Sequence, residues 1–505
     1  MENQRYKSFV LTLLIVALLM LAFFIPKIRI GSTETRRVNI LSDVMRKDST
    51  GQILAEVKVD SLVGTVEIGD DTINIESPTT GPAFDVIDDA ASDSSSLAEQ
   101  DSAGSPASDL NGGGSPGNSS ARASSSASPD TTYHPANIQA IDYSNLTTDG
   151  IVEIEDFGGT MHHFRGALSQ AGSRPVRVAF FGDSFIEGDI LSSDLREMLQ
   201  SRYGGNGVGW VDISCVSEGF RSTARTTNKG WAKHHANDRS GYQKSFQGLN
   251  GGYFVPNGTG TFTVTTSKGH AARADRAFIF TSASDIAVEA TANGGSLSPV
   301  SINVSGPLGM GQVGGGNIGK LSLSASGTGH VLGVALEGTS GIVVDNYSMR
   351  GSNGCYVANT SDAMLNAYAQ LRPYDLFIFE YGLNIANKNV TNYSSYTSQF
   401  KRVINKIKAH FPNASILIMG SGDRGVKSGN GVVTMPGVKE LIAAQRQMAA
   451  DCGVAFWNTY AAMGGEGGIG RMQQKKQANL DYTHINNAGG RVIAKSLYDA
   501  LTSSN

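Results

Sequence analysis

The chain has 505 residues, more than one ordinary domain needs. Its 41 basic and 45 acidic residues leave a net charge of −4, so no basic excess exists to neutralise a phosphate backbone, and nucleic acid is not an expected partner. Three widely spaced cysteines (Cys215, Cys355, Cys452) exclude a disulfide framework or a cysteine zinc site as the organising principle, while 61 glycines and 17% charged residues point to turns and β-structure rather than coiled coils.

In chain order, the first feature is an uncharged apolar run over residues 8–25, SFVLTLLIVALLMLAFFI, with Arg5 and Lys7 before it and Lys27 and Arg29 after it. As a helix it would measure about 27 Å, enough for a thin bilayer core. No small-residue cleavage site and no lipid-accepting cysteine follow it, so residues 1–29 read as an uncleaved transmembrane signal anchor. Two basic residues precede the run and four follow it, so the positive-inside rule alone does not favour export of the remainder. The linker and the chemistry described next place it outside.

Residues 30–84 hold short β-like runs, read as a small region without legible function. Residues 85–135 are rich in Ser, Gly and Asp and contain eight acidic residues and one basic residue. Such a segment cannot bury enough apolar surface to offset its chain entropy, and it reads as a disordered tether reaching about 40 Å.

From residue 136 onward the chain reads as folded. Apolar runs at 176–181, 376–380, 415–419 and 454–457 predict buried strands, and residues 189–203, 396–410, 438–452 and 488–501 predict helices. This alternation implies an α/β domain with a parallel sheet covered on both faces. Between residues 205 and 340 the texture changes to short Thr/Val/Ser-rich runs separated by glycine, which predicts a β-sandwich inserted into the α/β domain. The hydrolase-like part would then comprise residues 136–204 and 341–505.

Three segments carry chemistry. Gly182-Asp183-Ser184 follows a strand, where the carboxyl end of a parallel sheet presents ligand sites. A serine there can offer its hydroxyl while the turn donates N–H groups. Gly382-Leu383-Asn384 follows a second strand, and an asparagine amide is a neutral, orientable donor for an oxyanion. Asp481 and His484 lie three residues apart before the last helix, a spacing that can supply a base and the carboxylate that fixes its tautomer. Each motif alone is common: a capped turn, a turn asparagine and a chance Asp-x-x-His.

Together, in this order, they resemble the SGNH (GDSL-type) hydrolases over residues 140–505. The remaining block of that family is a glycine after another strand; the matching stretch ends at Gly351, with Gly354 in reserve. Phe185 replaces the leucine of GDSL, a position without a chemical role. The resemblance implies a flavodoxin-like three-layer fold. It implies Ser184 as nucleophile, His484 as base and Asp481 as its partner, with an oxyanion hole formed by Ser184, Gly351 and Asn384, and no metal or organic cofactor.

The β-rich insertion and the longer Gly-Asp-Ser-Phe-Ile-Glu-Gly-Asp match at 182–189 make the chain similar to bacterial peptidoglycan O-acetylesterases, whose inserted domain resembles a carbohydrate-binding module. This implies a periplasmic esterase, held at the inner membrane by one span and removing O-acetyl groups from peptidoglycan or another envelope glycan. Trp210, Trp231, Tyr242 and Tyr253 are candidates for stacking on sugars, against the alternative that they fill the β-core. Arg350 and Glu187 stand near the expected site. His162-His163 and His234-His235 lack a third ligand at metal spacing, and the glycine-rich 311–319 lacks a phosphate-loop ending. An O-acetyltransferase, an inactive glycan-binding scaffold and a lipase or thioesterase are the competing readings.

Overall fold

The computed structural model describes residues 151–503, apart from 218–219, 239–240, 283–284 and 430, together with six short strands between residues 29 and 75. The apolar run at 8–25 and the linker at 85–135 lie outside the described residues. The chain divides into two compact units, Met1–Glu76 and Ser77–Asn505. In the first, Arg29–Ile30 pairs with Thr33–Glu34, Met45–Lys47 with Ile53–Ala55, and Gly64–Ile68 with Asp71–Ile75, all antiparallel.

The second unit begins with β1 (Glu155–Asp156), α1 (Met161–Leu168), β2 (Pro175–Gly182) and α2 (Ser192–Tyr203). Ten strands follow: β3 (Gly209–Val211), β4 (Ala224–His235), β5 (Gly252–Thr266), β6 (Arg276–Ser282), β7 (Ile286–Ala292), β8 (Ser298–Pro299), β9 (Ile302–Ser305), β10 (Leu308–Val313), β11 (Lys320–Gly327) and β12 (Val331–Glu337). The chain then returns through β13 (Gly341–Ser348), α3 (Asp362–Leu371), β14 (Leu376–Glu380), α4 (Ser394–His410), β15 (Ser415–Met419), the hairpin β16 (Gly425–Ser428) and β17 (Gly431–Thr434), α5 (Val438–Cys452), β18 (Ala455–Trp457), α6 (Thr459–Ala462), α7 (Gly468–Gln474) and α8 (Asn487–Thr502).

The α/β sheet has the order β13-β2-β14-β15-β18-β1. Its first five strands are parallel and only the edge strand β1 runs antiparallel. Numbered along the chain, the parallel strands lie 2-1-3-4-5, the flavodoxin-like order, which opens a crevice at the carboxyl ends where the order reverses. Both faces are buried, which is why these strands read as unbroken apolar runs. Ala179, Phe181, Phe377 and Phe379 face one cluster with Tyr396, Phe400, Val403 and Ile404 of α4. Val178, Phe180, Leu376 and Ile378 face the other with Met161 of α1, Leu195 of α2 and Ile493 of α8.

The ten strands between α2 and β13 form a sheet of their own, β8-β7-β11-β5-β12-β6-β10-β9, with β4 added on β5 and β3 on β12. The sandwich expected from the sequence is thus one hydrogen-bonded sheet folded on itself. The fifteen-residue β5 joins its halves, pairing with β11 over Thr259–Thr265 and with β12 at Phe254. Val264, Val288 and Leu321 from one half meet Ile279, Val334 and Leu336 from the other in a single core. The glycine-rich 311–319 is the end of β10 and the turn after it, which leads into β11.

Two of the four candidate surface aromatics are core residues. Trp210 packs on Phe280 and Tyr347, and Tyr253 lies among Phe246, His330 and Tyr242; both are almost fully buried. Their large apolar areas outweigh any benefit of exposure. The helix expected from residue 189 starts at Ser192 instead. Asp189 takes a left-handed φ of 68°, and its buried carboxylate accepts from Ser192 Oγ (2.6 Å), Thr223 Oγ1 (2.5 Å) and both terminal nitrogens of Arg196. Among the described residues no helix is long and apolar enough to cross a membrane.

Candidate active site

Three of the four motifs leave the sheet at one level. Gly182 is in register with Ser348 on one side and Glu380 on the other. The chain beyond these residues carries Ser184, Gly351 and Asn384, so the crevice between the first and third strands collects all three segments.

Ser184 lies in the turn after β2 and is nearly buried. Asp183 closes that turn by accepting from Phe185 N–H at 2.9 Å. Across the crevice, Ser184 Oγ stands 2.9 Å from His484 Nε2, and His484 Nδ1 stands 2.6 Å from Asp481 Oδ2. The other Asp481 oxygen accepts the backbone N–H groups of Thr483 and His484, both at 3.0 Å. Burial pushes the Asp481 carboxyl up, but the hydrogen bonds from the His484 ring and from these two N–H groups outweigh it and hold the group below its ordinary range. An ionised Asp481 accepts a hydrogen bond from Nδ1–H and so keeps the proton on that nitrogen, which leaves Nε2 as the acceptor facing the serine.

The loop that carries this pair is fixed at both ends. Asn479 N–H donates to His484 O at 2.8 Å, and Asn486 caps α8 by accepting from Ala488 and Gly489. Tyr482, between Asp481 and His484, takes a left-handed φ of 52°, and its carbonyl accepts from Gly425 N–H at 2.7 Å.

Asn384 sits in the turn after β14. Gly382 opens that turn, and a Cβ there would stand 2.3 Å from Ser421 Cβ, so only glycine fits. Arg424 Nη1 donates to the carbonyls of Leu383 and Ala386, on both sides of the asparagine. Asn384 Nδ2 donates to Asp183 Oδ2 at 2.7 Å and to Ser352 O at 3.1 Å. The amide therefore bridges the nucleophile turn and the segment after β13.

Gly351 and Gly354 both have positive φ, 74° and 82°. Gly354 N–H donates to Ser352 Oγ at 3.0 Å, whereas the N–H groups of Gly351 and Ser184 have no partner among the described residues. On this count Gly351, rather than the reserve Gly354, has a donor to spare.

Sequence reasoning did not single out two buried carboxyls beneath the site. Asp183 is fully buried; burial pushes its pKa up, against the pull of the Phe185 N–H, His484 and the Asn384 amide. Glu380, next to it at the end of β14, is also fully buried, and burial together with the Asp183 charge raises it far more. Burial thus favours the neutral form of Glu380 beside Asp183. An acidic residue ending an apolar strand was the available signal. Among the described residues no three metal-ligating side chains converge.

No protein-family model matches the chain, and no curated protein matches it in sequence. Among solved structures, a peptidoglycan O-acetylesterase is similar over 69% of this chain and 97% of its own, with a TM-score of 0.55 and 24% identity. The chain shares the fold of that esterase. Two further solved structures align over less of it. An acetyl xylan esterase covers 32% of this chain and 81% of its own, at 13% identity and a TM-score of 0.23. A GDSL-like lipase from Parabacteroides merdae ATCC 43184 covers 32% and 73%, at 13% identity and the same score. In this fold the serine, histidine and aspartate named from the sequence are hydrogen-bonded in series.

Proposed function

We propose that the protein is a serine esterase that removes O-acetyl groups from a cell-envelope carbohydrate, with peptidoglycan first among substrates. The observation that carries this is the continuous chain Ser184 Oγ–His484 Nε2, His484 Nδ1–Asp481 Oδ2 at the carboxyl end of the sheet.

Ser184 Oγ attacks the acetyl carbonyl while His484 Nε2 takes its proton. The carbonyl oxygen becomes an oxyanion held by the free N–H groups of Ser184 and Gly351. Asn384 Nδ2 joins them by releasing its longer bond, to Ser352 O. His484 then returns the proton to the sugar oxygen as the C–O bond breaks. His484 next takes a proton from water as it attacks the acetyl carbonyl, and gives that proton to Ser184 Oγ as the acyl bond breaks and acetate leaves. No step needs a metal or an organic cofactor.

In this reading residues 136–204 and 341–505 are the hydrolase, and 205–340 is an inserted domain that contacts the glycan. The apolar run at 8–25 anchors the chain in a bacterial inner membrane, and the 85–135 tether lets the enzyme reach an immobile polymer in the periplasm. The similarity in fold to a peptidoglycan O-acetylesterase supports the substrate assignment.

The test is acetate release by residues 136–505 from O-acetylated peptidoglycan and from an O-acetylated polysaccharide, with Ser184→Ala as control. Release that disappears in Ser184→Ala is expected. Acetyl passed only to an added sugar acceptor would make the protein a transferase, and no turnover of any acetyl ester would make it a binding scaffold.

A further inference from the structure

Arg350 stands beside the proposed nucleophile. Met349 N–H donates to Gly182 O at 2.8 Å, so the chain after β13 runs alongside Asp183 and Ser184. The Arg350 side chain is 48% exposed, while that of its partner Glu187, three residues past Ser184, is only 6% exposed. Arg350 Nε donates to Glu187 Oε2 at 2.8 Å, and Nη2 donates to the same oxygen. From the other side, Asn237 Nδ2, in the segment after β4, donates to Arg350 O at 3.0 Å.

A guanidinium has five N–H donors, and Glu187 takes two of them. Nη1 has no partner among the described residues, on a half-exposed guanidinium that Glu187 holds in place. A planar fork fixed in this way matches a carboxylate in geometry and charge. A surface ion pair alone would give little reason for burying the glutamate. One residue beyond Glu187, the half-exposed Phe220 ring covers Gly188 so closely that a Cβ there would stand 2.4 Å from a ring carbon. An aromatic face beside a cation suits a sugar ring with an anionic substituent.

We infer that Arg350 recognises a carboxylate borne by the acetylated sugar, so that the enzyme prefers acidic O-acetylated sugars to neutral ones; in peptidoglycan these are sugars freed of the stem peptide, which otherwise holds the lactyl carboxyl as an uncharged amide. This rests on the glycan esterase reading above. Arg350 is a specificity residue here and takes no part in proton transfer.

The test compares kcat/KM on 6-O-acetylated glycosides of two sugars, N-acetylmuramic acid and its lactyl carboxamide, which differ only in the carboxylate. p-Nitrophenyl acetate reports the esterase itself. The wild type should prefer the acidic sugar about tenfold or more, and Arg350→Gln should erase that preference, chiefly through KM. The double variant Arg350→Gln/Glu187→Gln, which leaves no buried charge unpaired, should show the same loss. A wild-type ratio near one overturns the assignment and leaves the esterase reading standing. So does a preference retained in both variants while rates on both sugars fall together, which would make Arg350 a structural clamp. Hydrolysis of p-nitrophenyl acetate without turnover of either sugar removes the glycan reading and this assignment with it.

Discussion

Asn384 Nδ2 lies 2.7 Å from Asp183 Oδ2, so the residue before the nucleophile orients the amide proposed for the oxyanion. Asn384→Ala should lower kcat on an aryl acetate by about 100- to 1000-fold, with little change in KM. Asp183→Asn keeps an acceptor for Phe185 N–H, and so the nucleophile turn, but turns a donor toward the Asn384 amide; it should cost less, about tenfold, and the double variant Asp183→Asn/Asn384→Ala should be no slower than Asn384→Ala. A double-mutant cycle in kcat checks this; fully additive losses would mean that Asp183 has a separate role.

The 2.6 Å contact between His484 Nδ1 and Asp481 makes a second prediction. Asn at 481 can donate to Nδ1 and so favours the wrong tautomer, with the proton on the nitrogen that faces Ser184. Asp481→Asn should reduce kcat by roughly 10³- to 10⁴-fold while the protein stays folded. The Asp481 carboxyl sits below its ordinary range, so it should contribute no inflection to the rate profile between pH 5 and 8. Steady-state rates across that range check both points.

Much of this was legible in the sequence because burial on both faces leaves a plain record. Leu376–Glu380 and Ser415–Met419 are wholly buried strands and appear as unbroken apolar runs. Ser394–His410 repeats its buried positions at helical spacing. The serine, asparagine, aspartate and histidine stood out because each follows a strand or precedes a helix in a known order. Less legible was Ala224–His235, an edge strand of Thr, Asn and Lys whose pairing with Gly252–Thr266 depends on distant residues. Met161–Leu168 was missed because it is short and its N-cap residue makes no side-chain bond. The Asp183–Asn384 bridge and the Arg350–Glu187 clamp join residues 201 and 163 positions apart, and no local pattern records such contacts.

Asp423 offers a test of stability against pH. Burial pushes its carboxyl up to about 6, although Ile469 N–H donates to Oδ2 at 2.9 Å. In the unfolded chain the group ionises near 4. Between about pH 4 and 6 the folded state therefore keeps a proton that the unfolded state has lost, and stability falls as pH rises through that window. Above it the penalty is complete, about 3 kcal/mol. Asp423→Asn keeps an acceptor for Ile469 and removes the charge, so it should raise the unfolding midpoint at pH 7.5 and have little effect at pH 4. Thermal melts of both proteins at these two pH values check the sign.

Arg372 ties the folded ten-stranded sheet to the α/β sheet. Its buried guanidinium donates to both oxygens of Asp345 on β13, at 2.7 and 2.8 Å, and to Glu337 at the end of β12, at 2.8 Å. Arg177 of β2 and Arg276 of β6 also reach Glu337, at 2.7 and 3.1 Å. Burial raises the Glu337 carboxyl, but the Arg372 and Arg177 charges prevail and hold it at about 2. Removing Arg372 leaves Glu337 with two cations and Asp345, among the described residues, with the Tyr374 hydroxyl at 2.6 Å as its side-chain partner. Arg372→Met should therefore cost about 3–5 kcal/mol, the penalty of a buried charge that has lost its partner. Adding Asp345→Asn removes that orphaned charge and should restore part of the loss. Urea unfolding of the single and double variants checks this: a double variant no more stable than Arg372→Met would mean that packing around the guanidinium, rather than its charge, holds the two sheets together.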